Sequence, residues 1–247
     1  MTYKYNPIED CYATKKKIYI FRNEIERYYK ARKKLSLLDF GCGNANDCGK
    51  YIINQLYHYN GVDIHKNSLE YAKNQFGNKN VKFSSEPLKK KYDIIIISEV
   101  LEHLKDPEGT LKFLFTLLKD DGIILGSIPN GFGLTEIEKY IIHKFGIYKI
   151  CRFIYRLFKK KENTKNQIPF NYESGHIQHF TISSLKGIID KSGFYSEYIK
   201  NGSLMGADIT GSTIFKLNFT KYLNTKIADF LPSTLCATWI FKLTKQK

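Results

Sequence analysis

The sequence has no C-x-x-C pair, and its five cysteines (Cys11, Cys42, Cys48, Cys151 and Cys236) make an odd number. Both features argue against a disulfide framework or a cysteine-ligated zinc site, and for a reducing compartment. Long apolar runs are also missing. The longest, Ile94 to Ile97 and the stretch around Phe230 to Phe241, fall short of the roughly 20 residues that a membrane span requires. The opening residues, Met1-Thr-Tyr-Lys-Tyr-Asn-Pro7, lack the apolar stretch of a secretory signal. The expectation is a cytoplasmic chain without a membrane span. Acid is scarce relative to base: 24 Asp+Glu stand against 39 Lys+Arg, a formal charge of +15. Such a surface favours anionic partners, whether nucleic acid, an anionic membrane or an acidic substrate. No internal repeat is present.

What remains is the composition of an ordinary globular chain. Its 247 residues, 43% hydrophobic and 26% charged, suit one domain that buries most of its unfolded surface, and exclude a disordered, collagen-like or coiled-coil protein. Aromatics are abundant at 15%, so the core is expected to be ring-rich.

From residue 35 onward, short apolar runs alternate with helical patterns. Leu35 to Phe40 reads as a buried strand ending in a glycine turn, and Asp47 to Leu56 as a helix. Tyr59 to Ile64, Val81 to Ser84 and Tyr92 to Ser98 are further strands. Ser68 to Phe76 is a helix for which Asn67 or Ser68 offers a cap. The four isoleucines of Tyr92 to Ser98 leave neither face polar, as in a strand covered on both sides. Asp106-Pro107-Glu108 opens the next helix with a capping acid and a first-turn proline. Asp120-Asp-Gly122 reads as a turn and Ile123 to Ile128 as a fifth strand. This alternation implies βαβ units in a doubly wound, mostly parallel α/β sheet.

The pattern breaks after Pro129-Asn130-Gly131. In residues 131–175, Lys149, Arg152, Arg156 and Lys159 recur at helical spacing, a basic helical insertion. It is an expected lid or, over 147–161, an expected peripheral contact with an anionic membrane. Alternation resumes with a helix from Ser183 to Ser192 ending at Gly193, a strand from Tyr195 to Lys200, a helix from Tyr222 to Phe230 and a strand from Ala237 to Leu243. The chain thus divides into a helical lead-in (1–34), a cofactor-binding half (35–130), the insertion (131–175) and a C-terminal half completing the sheet (176–247).

The turn after the first strand is Gly41-Cys-Gly43-Asn-Ala-Asn46. A pyrophosphate-binding turn carries a third glycine, and its absence disfavours a dinucleotide. Asp63 follows Gly43 by 20 residues and ends the second strand, where a carboxylate accepts both hydroxyls of a ribose. With Asp39 ahead of the turn, these residues read as a nucleoside-cofactor site.

Leu37-Leu-Asp-Phe-Gly-Cys-Gly43, Gly61-Val-Asp-Ile64, Tyr92-Asp-Ile-Ile-Ile-Ile-Ser-Glu-Val-Leu-Glu-His-Leu104 and Leu117-Leu-Lys-Asp-Asp-Gly122 resemble successive motifs of class I S-adenosylmethionine-dependent methyltransferases. His176-Ile-Gln-His-Phe-Thr-Ile-Ser-Ser-Leu185 and Ser192-Gly-Phe194 resemble a later motif of the ubiquinone-biosynthesis-type O-methyltransferase group. The resemblance implies a seven-stranded Rossmann-like sheet with S-adenosylmethionine as cofactor. By it, Gly41 and Gly43 lie against the methionine part, Asp63 binds the ribose, Ser85 and Glu86 border the adenine, and Ser98 faces the methionine end.

Methyl transfer from a sulfonium needs alignment above all, and a hydroxyl acceptor must also lose a proton. His103, His176 and His179 are the candidate bases, with His176 and His103 preferred. Glu99, Glu102 and His103 share one face at helical spacing, and with His179 they resemble the metal site of small-RNA 2′-O-methyltransferases. A divalent metal is the lesser expectation, because Glu-His-Leu is also ordinary in methyltransferases without one. Three functions stay open: O-methylation of a small-molecule, glycan or lipid-linked hydroxyl, metal-dependent RNA 2′-O-methylation, and a non-catalytic cofactor-binding partner subunit.

Overall fold

Four isoleucines in succession can escape water only if both faces of their strand are covered. Ile94 to Ile97 are fully buried in β4 (Tyr92–Ser98), the middle strand of a seven-stranded sheet. Each such side chain contributes about 1.5–3 kcal/mol on burial. The computed structural model describes residues 14–32, 34–54, 57–145, 175–206 and 217–246. The basic stretch 147–161, expected as a lid or membrane contact, lies outside them.

The other strands are β1 (Ser36–Phe40), β2 (His58–Val62), β3 (Val81–Ser84), β5 (Leu118–Pro129), β6 (Phe194–Asn201) and β7 (Thr238–Lys245). Their order is β3-β2-β1-β4-β5-β7-β6. The first five pair in parallel, whereas β7 runs antiparallel between β5 and β6. The expected doubly wound, mostly parallel sheet of seven strands is therefore present.

Among the described residues the α-helices are α1 (Thr14–Arg32), α2 (Gly49–Ile52), α3 (Lys66–Phe76), α4 (Pro107–Leu117), α5 (Leu134–Lys144), α6 (Ile182–Lys191) and α7 (Asn218–Phe230). Strand alternation splits the core into two layers. Ile95 and Ile97 pack with Leu111 and Leu114 of α4, Leu185 and Ile189 of α6, and Trp239 and Phe241 of β7. Ile94 and Ile96 face the other way, onto Phe21 and Ile25 of α1 and Ile52 of α2. The lead-in helix is thus part of the core. Polar clamps hold it there: Lys242 Nζ lies 3.1 Å from Glu24 and 2.7 Å from Glu197, and Lys16 Nζ donates to the Asn201 carbonyl at 2.7 Å.

Local chemistry sets the boundaries. Asp106 accepts from Gly109 N at 2.8 Å and Pro107 takes the first turn of α4. Thr181 and Ser184 form a reciprocal capping box, starting α6 at Ile182 rather than Ser183. Three expectations need correction. The helix read over Asp47 to Leu56 is only α2, because Ile53 is already extended at ψ 124°. Neither Asn67 nor Ser68 caps α3: His65 holds that position, and Ser68 Oγ instead meets His65 Nδ1 at 2.7 Å. The turn at Asp120-Asp-Gly122 lies within β5, which already pairs with β4 at Leu118 and shifts register before Ile123.

Gly126 tests how tightly β5 and β7 pack. A Cβ there would lie 2.1 Å from Phe241 Cζ and 2.8 Å from the Ile97 carbonyl, while Phe241 is itself fully buried. Gly126→Ala is expected to destabilise the fold by about 1–3 kcal/mol, read as a lower urea midpoint with unchanged slope.

Candidate functional site

The carboxyl ends of β1, β2, β3, β4 and β5 open on one edge of the sheet, and the chemistry-bearing residues gather there. At the end of β1, Gly41 has φ +77° and Gly43 φ +53°. A Cβ on Gly41 would lie 2.3 Å from Val100 Cγ2, whereas one on Gly43 would meet nothing within 4 Å. Glycine at 41 is therefore required by both backbone and neighbour, and the backbone at 43 is bare toward open space. Gly41 N and Cys42 N both donate to the Val62 carbonyl, at 2.8 and 2.9 Å. Gly43 N donates to Asp63 Oδ2 at 2.7 Å, and His65 N to Asp63 Oδ1 at 2.8 Å. Asp63 thus braces both the glycine turn and the approach to α3.

Ser85 and Glu86 follow β3 and are exposed, and the Glu86 carbonyl accepts from Ser84 Oγ at 2.6 Å. At the end of β4, Ser98 Oγ meets Ser127 Oγ of β5 at 2.9 Å. Asp39 lies beneath the turn, 3% exposed, accepting from Tyr59 Oη at 2.5 Å. Burial pushes its carboxyl up to about 6, Tyr59 opposes this, and the Asp63 charge adds to it.

A second cluster follows β4. Glu99 has φ +56°, accepts from Ser127 Oγ at 2.5 Å, and lies 3.8 Å from Lys17 Nζ. Glu102 is 1% exposed, with no hydrogen-bond partner for either carboxylate oxygen among the described residues. Burial, reinforced by Glu99, pushes its carboxyl well above the usual range. His103 Nε2 stands 3.7 Å from Glu102 Oε1, and its Nδ1 3.0 Å from the Gly175 carbonyl. The His176 ring meets that of His103 edge-on at 4.9 Å. Ile177 N and Gln178 N both donate to the Glu102 carbonyl, at 2.9 and 3.0 Å, which fixes the later motif against this one.

One ligand atom from each of Glu102, His103 and His176 lies within 4.8 Å of the others. Of the residues the sequence reading joined (Glu99, Glu102, His103 and His179), the structure keeps Glu102 and His103 together and brings His176 to them. Glu99 is turned toward Ser127 and Lys17, and the His179 backbone packs against Gly131. Sequence reasoning missed Lys17, which is 7% exposed. Its signal was a lysine within the buried stripe Thr14, Lys17, Ile18, Phe21 and Ile25 of α1.

The strand order, the single reversed strand and a glycine turn braced by the acid that ends β2 define the class I methyltransferase fold. The family model for a methyltransferase domain matches residues 14–198, and the chain belongs to that family. It is 30% identical over 131 residues to a malonyl-(acyl-carrier protein) O-methyltransferase of Bacillus anthracis, covering 48% of this chain and 47% of that protein. It is 31% identical over 165 residues to a ubiquinone biosynthesis O-methyltransferase of Pelagibacter ubique, covering 62% of this chain and 63% of that one. The chain therefore spans about half to under two thirds of the length of these curated relatives. Among solved structures, an S-adenosylmethionine-dependent methyltransferase from Clostridium acetobutylicum superposes with a TM-score of 0.57 at 10% identity, covering 94% of this chain and 92% of that one. At that identity the likeness speaks to the fold alone. No helix among the described residues is long and apolar enough to cross a membrane.

Asp39 gives a pH signature. Below about pH 4 its carboxyl is protonated folded or unfolded. Between about 4 and 6 only the folded state keeps the proton, so stability falls as pH rises through that window and the penalty is complete above it. Asp39→Asn keeps an acceptor for Tyr59. Its stability relative to wild type is expected to be more favourable at pH 7 than at pH 4 by about 3 kcal/mol, checked by urea unfolding at both values.

Proposed function

We propose that the chain is an S-adenosylmethionine-dependent O-methyltransferase acting on a small-molecule, glycan or lipid-linked hydroxyl. One observation carries the cofactor assignment: the bare backbone of Gly43 and the Asp63 carboxylate sit 2.7 Å apart at the ends of adjacent parallel strands. A ribose diol finds its acceptor in Asp63, and the amino-acid tail finds room beside Gly43. In this reading Ser85 and Glu86, beyond β3, border the adenine, and Ser98 the methionine end. When bound, the cofactor supplies an activated methyl group on a sulfonium. The names of the curated relatives support oxygen as the acceptor atom.

The chain's remaining task is to align the hydroxyl and take its proton. A carbonyl oxygen only accepts, so neutral His103 donates from Nδ1 to Gly175 and keeps its lone pair on Nε2. That tautomer is the one a general base needs. His176, whose ring contacts His103, stands beside the same path.

A second reading rests on Glu102. A buried carboxyl whose oxygens have no hydrogen-bond partner among the described residues is costly, and ligand atoms of two imidazoles lie within 4.8 Å of it. Glu102, His103 and His176 fit a Mn²⁺ or Zn²⁺ ion by number and chemistry, and such an ion would hold the acceptor oxygen and lower its pKa.

Calorimetric titration of cofactor-free protein with S-adenosylmethionine and S-adenosylhomocysteine is expected to show micromolar binding, weakened about tenfold or more by Asp63→Ala. An absence of binding to the wild type would sink the proposal. With an acceptor in hand, His103→Ala should lower kcat by about 10²–10⁴. Activity lost to a chelator and restored by Mn²⁺ selects the cation reading instead. Transfer to oligonucleotides that weakens steeply with salt would move the acceptor to RNA.

A further inference from the structure

Among the described residues, those from 85 to 91 join β3 to β4 without a helix. The segment is pinned to β2, where Leu88 N donates to Asn60 Oδ1 at 3.2 Å and Tyr92 Oη donates to the same oxygen at 2.7 Å. Strand alternation puts His58 on the same face as Asn60, whose register partner on β3 is Lys82. A cavity of about 230 Å³ lies there, lined by His58, Lys79, Asn80, Lys82, Leu88 and Lys90. Among the described residues no acid lines it. His58 opens β2 and Asn80 directly precedes β3, so the cavity lies toward the amino ends of these strands. Asp63 and the glycine turn stand at the carboxyl ends.

Three lysines reach this cavity from separate segments: Lys79 from the turn before β3, Lys82 from β3 itself and Lys90 from the crossover. None of them pairs with a carboxylate among the described residues. Asp93, whose charge acts on Lys90, is taken by Lys119 Nζ at 2.9 Å and by Ser36 Oγ at 2.8 Å. Lys90 stands over the Tyr92 ring at 5.2 Å, and burial, followed by the charge of Lys82, holds its pKa below the usual ammonium value. Like charges gathered without a counter-charge repel one another. An anion with several oxygens relieves that repulsion and gives each ammonium a strong acceptor. The cavity also falls short of the roughly 300–1,000 Å³ that holds a drug-sized ligand, so it fits a compact anion. Lys89 and Lys91, exposed on either side of Lys90, add to the field that draws one in.

We propose that this cavity binds a small phosphorylated ligand through its phosphate or pyrophosphate group, with Lys79, Lys82 and Lys90 as the cationic contacts and His58 and Asn80 as further polar ones. The inference is independent of the cofactor reading, because it needs no methyl donor and uses none of the residues assigned to one. It gives the basic surface of the chain one defined place at which an anion is held rather than merely attracted.

Inorganic pyrophosphate is the probe, titrated calorimetrically into the wild type at about 0.15 M ionic strength. Saturable binding with a Kd of about 1 mM or tighter is expected. The double variant Lys82→Gln, Lys90→Gln should weaken it about tenfold or more. The pair Lys186→Gln, Lys191→Gln removes the same charge from exposed positions on α6 and should leave binding unchanged. Equal weakening by both pairs identifies attraction to net charge alone and overturns the proposal, as does a lack of saturable binding. Amide shifts of the wild type, followed by NMR as pyrophosphate is added, need no variant. They should centre on Asn80, Lys82, Leu88 and Lys90, and shifts gathered instead at Gly43 and Asp63 overturn the proposal. A short single-stranded oligonucleotide that binds through Lys82 and Lys90 when pyrophosphate does not would overturn the small-ligand assignment.

Discussion

Two acceptors at the end of β2, the Val62 carbonyl and the Asp63 carboxylate, hold three successive amides of the turn that leaves β1. Much of the site depends on that arrangement. Backbone N–H groups turned out of a sheet ladder must find acceptors, and here the neighbouring strand provides them. The turn is held in its left-handed glycine conformation, Val100 seats against Gly41, and the open side of Gly43 is left to a ligand. Because β1 and β2 pair in register from Ser36 with His58 to Phe40 with Val62, the sheet itself brings the acid to the turn. Register, more than side-chain choice, places the pair.

The same edge shows the electrostatic cost of a ligand site. Asp39 and Glu102 are acids kept from water; among the described residues one accepts from a phenol and the carboxyl of the other has no hydrogen bond. A chain selected only for stability would replace them with apolar groups. Two buried acids at one edge of a largely apolar core mark the region where stability gives way to chemistry. Lys17 offsets part of the repulsion, and it links the lead-in helix to the centre of the sheet.

The sequence made the frame legible because strand periodicity and glycine punctuation are local signals. The limits of β3 and β4 coincide with the runs read from Val81 to Ser84 and from Tyr92 to Ser98. The glycine turn, Asp63 and the Glu102–His103 pair could also be located from motif order. Three-dimensional partnerships could not. His176 rather than His179 joins His103, because the Ile177 and Gln178 amides fold back onto the Glu102 carbonyl, a contact no spacing rule encodes. Glu99 left its helical neighbours because a positive φ turns it toward Ser127. Lys17 was hidden within a pattern that otherwise reads as an amphipathic lead-in.

Gly131 N donates to the Phe180 carbonyl at 2.9 Å. The polypeptide that departs from the end of β5 therefore returns to its point of departure before α6 begins. The two ends of that interval are thus tied by a backbone hydrogen bond, and adding residues between fixed ends costs a closure entropy that grows only logarithmically. The frame can consequently accept added or removed residues between these two points at little thermodynamic cost, while the strands, the turn and the acids beneath stay as they are.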